Sequence, residues 1–174
     1  VAYNVGATAR LKLAPGQTLE AGWIDSHEDR WRNDVESSGL RRAYEDRYDL
    51  QRTHGHLSWR GEFSGWRAQA NAYRSELDIV DTRTNGVAPT RPQNLRDAVV
   101  DGLVAGKLGG HLLTFGGEFR TESLRNAGLI GGQDDAAHKA LFLQDEMPLA
   151  THLGLTAGLR ADNHELFGTE WSPR

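Results

Sequence analysis

The sequence predicts an all-β chain, an antiparallel, up-and-down transmembrane β-barrel wall of about eight strands. Three observations predict it. In the C-terminal stretch, Leu153, Leu155, Ala157, Leu159 and Ala161 interleave with Gly154, Thr156, Gly158, Arg160 and Asp162. One face of such a strand suits hydrocarbon and the other suits water. Connection lengths also alternate. Short turn signals fall at Ala14-Pro15-Gly16-Gln17, at 61–65, at Gly109-Gly110 and at Ala150-Thr151, and long polar stretches fall at 30–47, 81–96 and 124–137, with a fourth starting near Phe167. That order puts every short connection on one rim and every long one on the other, as in outer-membrane barrels. Finally, the longest strictly apolar run is the four residues Ala140–Leu143. A spanning helix needs about 20, so the chain cannot cross a bilayer that way.

The strands are expected at 3–13, 18–29, 48–60, 66–79, 97–108, 111–123, 138–148 and 152–165. In the first, Val5, Ala7, Ala9, Leu11 and Leu13 oppose Gly6, Thr8, Arg10 and Lys12. The second leaves the Pro-Gly turn, a good hairpin signal. The third carries His54 and His56 on one face, because residues two apart in a strand point the same way. In the fourth, Trp66, Ala68, Ala70 and Ala72 oppose Arg67, Gln69 and Asn71. Trp59, Phe63 and Trp66 surround the turn between these two strands, which suits an interfacial aromatic girdle. A small cluster closing the hairpin would look the same. The fifth strand runs into the Gly-Gly turn. In the sixth, Leu113, Phe115, Gly117 and Phe119 oppose Thr114, Gly116, Glu118, Arg120 and Glu122. The seventh and eighth flank the Ala150-Thr151 turn, with Met147 beside it. The apolar set is expected to face lipid and the polar set a wet lumen.

The length of 174 residues suits one domain, and the net charge of −4 gives no reason to expect nucleic acid. Cysteine is absent, which excludes a disulfide framework and a thiolate metal site. No G-x-S-x-G, Walker loop or H-E-x-x-H occurs. No enzymatic role and no cofactor are therefore expected.

Three segments carry a family resemblance. His111–Leu124 (HLLTFGGEFRTESL) resembles a strand with an LT-G-GE core, Ala140–Leu149 (ALFLQDEMPL) a Q-D-E-W strand, and Leu153–Arg174 an L-T-G-R-D-H-G-SP segment. Their order and spacing resemble TonB-dependent outer-membrane receptors, most nearly those for catecholate siderophores and colicins. Met147 stands where that family usually shows Trp. The resemblance implies a location in the Gram-negative outer membrane and import of a ferric siderophore driven by the TonB system. It implies as partners a plug domain of the same polypeptide, the TonB system, and outer-membrane lipid or lipopolysaccharide. It also implies a barrel of about 22 strands. Residues 1–174 are accordingly expected to be a partial barrel domain, without plug and remaining strands, because the chain has room for about eight. The alternatives are a complete eight-stranded structural or adhesive barrel and a passive porin segment.

Candidate functional residues follow from these placements. Arg10, Lys12, Glu118, Arg120, Glu122, Arg160, Asp162 and His164 share the polar face and are expected to line the lumen, as plug contacts, as guides for an anionic ligand, or as a solvated, ion-paired wall. His54 and His56 have the spacing of half a metal site, with no third ligand placeable. The first long loop holds Arg30, Trp31, Arg32, Arg41, Arg42 and Tyr44. Under the resemblance, arginine beside aromatic rings suits a bulky, aromatic, anionic chelate. Asp29, Asp34, Glu36, Glu45 and Asp46 lie in the same stretch and offset the charge.

Overall fold

The computed structural model describes residues 2–37, 39–90 and 92–173. It is one antiparallel sheet of nine strands in chain order. They are β1 (Ala2–Ala14), β2 (Gln17–Val35), β3 (Ala43–Phe63), β4 (Trp66–Arg83), β5 (Gln93–Leu108), β6 (His111–Asn126), β7 (Gln133–Ala150), β8 (Leu153–His164) and β9 (Gly168–Pro173). Each strand pairs only with its sequence neighbours, and no pairing between β1 and β9 occurs among the described residues. The sheet is therefore open, not closed on itself as an eight-stranded barrel would be.

The eight expected strands are all present, and two expectations are corrected. Much of the long polar stretches is strand. β2 and β3 stay paired from Gln17↔Gly61 to Val35↔Ala43, which leaves only 36–42 as connection. The connections after β4 and β6 are likewise only 84–92 and 127–132, the latter containing a short 3-10 turn at Ile130–Gly132. Polar residues on both faces do not stop pairing where both faces are wet, so polarity marked the end of the lipid-facing part, not the end of the strand. Further, residues near Phe167 do not open a long loop. Glu165–Phe167 turn tightly and lead into β9, which pairs with β8 from His164↔Gly168 to Leu159↔Pro173.

Register follows from the short turns. Phe63 and Trp66 face each other across Ser64 and Gly65, both at positive φ (48° and 84°). That is the type I′ geometry whose twist matches the flanking strands. Facing residues share a side of the sheet, so the ladder assigns faces across all nine strands. On one side lie Val5, Trp23, Leu57, Ala70, Val104, Phe115, Leu143 and Leu155. Val5, Phe115 and Leu155 are exposed and Ala68 is only half-covered, with no second layer of protein over them. This is the outer, lipid-facing band. Glycines fit aromatic rings into it: the Trp66 ring lies across Gly106, occupying the space of any added Cβ.

The described fold has two consequences for the chain alone. Its outer band has no cover and both edge strands have unpaired backbone groups, each costing several kcal/mol in hydrocarbon. The 174 residues alone are expected to aggregate without detergent. A cooperative thermal melt of a monomer in plain buffer, by circular dichroism and sedimentation, would contradict this.

Candidate functional site

The inner face of the wall is a set of cross-strand rows. One row reads Arg10, Glu20, Ser58, Asn71, Asp101, Glu118, Ala140, Asp162, Glu170 from β1 to β9. Arg10 donates to Glu20 at 2.5 Å. Ser58 donates to Asn71 and Asn71 to Asp101, each at 2.7 Å. His138 lies 3.1 Å from Asp162 and 3.5 Å from Glu118, and Arg160 reaches Asp162 at 2.8 Å. Arg120 pairs with Asp97 at 3.0 Å and Glu122 at 2.6 Å. The residues expected on the lumen face, Arg10, Lys12, Glu118, Arg120, Glu122, Arg160, Asp162 and His164, all lie on this one face. Arg10, Arg120, His138 and Arg160 each meet a carboxylate on a facing, diagonal or same-strand neighbour.

The rim where β2, β3 and β4 end is built differently. Here the wall has a small buried core of Tyr44, Val87, Asp46 and Asp81. Asp46 is fully buried and faces Arg32 on one side and Arg83 on the other. It accepts hydrogen bonds from Arg32 Nη2 (3.1 Å), Arg83 Nε (3.1 Å) and Tyr48 Oη (2.9 Å). Asp81 takes the Thr90 backbone N–H at 2.6 Å and the Thr90 hydroxyl at 2.5 Å. Arg83 also donates to the Ala88 carbonyl at 3.1 Å, and its guanidinium lies 5.1 Å from the Tyr44 ring centre. Asn85 donates to the Ala43 carbonyl at 2.6 Å. The two neighbouring connections, 36–42 and 84–92, are thereby tied onto the strand ends. Asp46 stands well above the lipid-facing band, at the level of outward Glu45 and Arg47. Burial raises its pKa, but hydrogen bonding with Arg83, Asp81, Tyr48 and Arg32 together outweighs this and holds it at about 2, against 3.8 in water.

The sequence-proposed rim residues divide. Arg30 is held by Glu28 at 2.7 Å and 2.8 Å, Arg32 by Asp46, and Arg42 by Glu36 at 2.9 Å. The Arg42 guanidinium and backbone N–H in turn keep the Glu36 carboxyl below its ordinary range. Tyr44 is buried under Arg83. Trp31 lies on the outer face opposite Arg47, turned away from the others, because it is one residue out of phase with Arg30 and Arg32. Arg41 sits at positive φ (51°), exposed, with no partner among the described residues. Only Arg41 and Arg42 of the six lie in the connection itself; Arg30, Trp31, Arg32 and Tyr44 are on strands.

His54 and His56 do share the inner face, with ring centres 6.1 Å apart. Among the described residues the group with ligand atoms close enough for one ion is a different one, His27, Asp29 and Asp49, on the outer face. Sequence reading takes Asp46 only as one of several offsetting charges, and it misses Asp81, Arg83 and Thr90. Their partners stand 14 to 37 residues apart for Asp46 with Arg32 and Arg83, and only the ladder register reveals the pairing.

A family model described as "TonB dependent receptor-like, beta-barrel" matches residues 3–174. The chain is 29% identical over 164 residues to the iron-regulated outer membrane virulence protein of Vibrio cholerae serotype O1, covering 90% of the chain and 24% of that protein. Among solved structures it resembles a mutant of the ferric enterobactin receptor PfeA from Pseudomonas aeruginosa at 22% identity and TM-score 0.81, covering 99% of this chain and 30% of that one. It resembles the siderophore receptor PirA from the same organism at 20% identity and TM-score 0.79, covering 99% and 29%. The chain thus spans about a quarter to under a third of the length of these relatives.

The rim network makes a pH prediction. A carboxylate whose folded pKa is depressed stabilises above its unfolded pKa and loses that contribution as pH falls through the folded value. In the complete protein in detergent, amide exchange at 43–48 and 81–84 is expected to stay slow down to about pH 4 and quicken between pH 3.8 and about 2. Exchange that stays flat across that window would remove Asp46 as the anchor.

Proposed function

The chain belongs to the TonB-dependent receptor β-barrel family, its family model matching residues 3–174, and from that premise we propose that it forms part of the barrel wall of a Gram-negative outer-membrane receptor that binds and imports a ferric siderophore. The observation that carries this reading is the family match over the whole described sheet, together with the outer lipid-facing band and inner polar wall. The iron regulation and outer-membrane location named for the Vibrio cholerae relative support it, as does the ligand named for the ferric enterobactin receptor.

Under this reading the residues 1–174 are a partial barrel domain, with plug and further strands elsewhere in the polypeptide. The inner face carrying Arg10, Glu118, Arg120, Arg160 and Asp162 faces the plug. Energy for release comes through the TonB system, and lipopolysaccharide and lipid meet the outer face. The rim carrying Arg30, Arg32, Arg41, Arg42 and Tyr44 rings the mouth through which the anionic ligand arrives. Three of these arginines already have carboxylate partners, so their charge is largely spent locally. Arg41 has no partner among the described residues and is suited to meet a ligand. No residue here performs covalent chemistry in this mechanism. The wall binds, orients and confines.

The test is growth of a strain lacking this receptor on a panel of single iron sources under iron limitation. Loss of growth on one or more ferric siderophores, restored by the gene, is expected; unimpaired growth on every source would end the proposal. Within the receptor, Arg41→Gln is expected to weaken ferric siderophore binding several-fold while leaving heat-modifiable migration unchanged. Arg42→Gln mainly loosens the connection 36–42, so proteolysis there is expected to rise while affinity changes less.

A further inference from the structure

Two polar side chains interrupt the outer band near the rim of the short turns. Across β4 to β8 one outer row reads Trp66, Gly106, Leu113, Asp145 and Ala157. The row above it reads Ala68, Val104, Phe115, Leu143 and Leu159. Toward the turns, Leu108 faces His111 and Met147 faces Leu155. Asp145 and His111 are the polar members of this surface, while Leu108, Phe115, Leu143 and Leu155 around them are exposed apolar side chains. The imidazole Nδ1 of His111 and Oδ2 of Asp145 lie 2.8 Å apart. Both strands beside Asp145 are in place, with Leu113 on β6 and Ala157 on β8 facing it. Its surroundings within the sheet are therefore complete, and what remains to meet it lies outside the wall.

We propose that this pair is a phospholipid headgroup site, which takes the primary ammonium of an aminoethyl phosphate headgroup from the leaflet at the short-turn rim. Place is the first argument. What touches an outward side chain in the lipid-facing band is lipid, and His111 opens β6 directly after the Gly109-Gly110 turn, near the margin where headgroups begin. A charged side chain on the outer face of a barrel is tolerated near that margin and costly at the midplane. Charge is the second. The Asp145 carboxylate meets no Lys or Arg among the described residues, and its Oδ1 accepts no hydrogen bond from them. A carboxylate beside hydrocarbon needs a partner, and its soft last torsion lets either oxygen turn toward a donor. Hydrogen-bond inventory is the third. An ionised carboxylate only accepts, so Nδ1 carries the proton of the shared hydrogen bond, and in the neutral ring Nε2 is then an acceptor too. The pair thus presents lipid with acceptors and a negative charge, and with no spare donor. A primary ammonium brings positive charge and several N–H groups together. A choline brings the charge without N–H, and a glycerol phosphate brings a negative charge that Asp145 repels. The side chains are 48% (His111) and 26% (Asp145) exposed, so a headgroup reaches both, while its acyl chains run along Phe115, Leu143 and Leu159.

The experiment uses the complete receptor, purified in detergent and stripped of lipid, with native mass spectrometry of what it retains from equimolar lipid mixtures. The probes are dioleoyl phosphatidylethanolamine, its monomethyl and dimethyl forms, phosphatidylcholine and phosphatidylglycerol. The wild type is expected to hold phosphatidylethanolamine about tenfold over phosphatidylcholine and phosphatidylglycerol, the scale of one hydrogen bond to a charged group. Retention is expected to fall stepwise as methyl groups replace N–H. Asp145→Asn is expected to bring the preference within twofold, and His111→Phe to reduce it. Asp135→Asn, on the outer face at the other end of β7, is expected to leave it unchanged. Heat-modifiable migration checks that each variant has folded. Equal retention of all five lipids by the wild type overturns the site, and so does a preference that survives Asp145→Asn. Should Asp145→Asn fail to fold, the methyl series on the wild type decides, and a flat series overturns the site. The site depends on the wall lying in a membrane and not on the imported ligand, so growth on the iron panel does not bear on it.

Discussion

Everything in this wall depends on one constraint: a backbone that crosses hydrocarbon must satisfy its own N–H and C=O groups, at several kcal/mol for each one left open. A strand can do that only through its neighbours. The ladder is therefore continuous from β1 to β9, with register shifts confined to Lys12/Ala14 and Pro148/Ala150. Both shifts lie beside short turns, at the margin of the lipid-facing band, where an unpaired group can reach water. Once the ladder is fixed, faces are fixed too, since moving any strand by one residue would exchange its apolar and polar sides. The outer band and the inner charge rows are two consequences of the same pairing.

The part of the fold legible in the sequence was the part that lipid dictates. Where one face must be apolar and the other wet, alternation is strong, and strands such as β1, β6 and β8 were found nearly to their ends. Where both faces are wet, alternation fades. The upper ends of β2, β3 and β4, residues 30–35, 43–47 and 80–83, read as loop for that reason, although cross-strand pairs such as Arg32 with Asp46 and Arg83 with Asp46 hold them as strand. The ninth strand was missed for a related reason. Its six residues are too few to show a period, and it depends on a turn of only Glu165, Leu166 and Phe167.

The candidate site was half legible, and the division has a physical basis. Which residues share a face follows from parity, so Arg10, Glu118, Arg120, Arg160 and Asp162 can be grouped from one strand at a time, and the ladder puts them on one side of the sheet. Rim residues depend on which charges meet, and that depends on register between strands. An arginine-rich stretch reads as a grip for an anion until Glu28, Asp46 and Glu36 are seen to occupy three of its arginines. Trp31 shows the same limit: adjacency in sequence to Arg30 and Arg32 put it in one group with them, while the pleat puts it on the other side of the wall.

Inversion of the alternation also measures where the membrane ends. An apolar side chain pointing outward is favourable only against acyl chains. Outward Leu57 and Ala72 lie in the band, and two residues further up their strands stand Gly55 and Arg74, then Thr53 and Glu76. The boundary on β3 and β4 therefore falls near Gly55 and Arg74, and the strands continue for about ten residues more. At about 3.3 Å per residue, and with a tilt near 40°, that carries the wall roughly 25 Å above the hydrocarbon. A wall that tall needs its own cohesion once lipid no longer squeezes it. The buried Asp46 cluster supplies that cohesion at the top, tying β2, β3 and β4 through one carboxylate. The apolar inner rows lie between that cluster and the charged lumen. Water reaches both faces at that height, so lipid no longer dictates parity, and the ladder alone keeps Leu50, Leu77, Leu95 and Leu124 on the inner side.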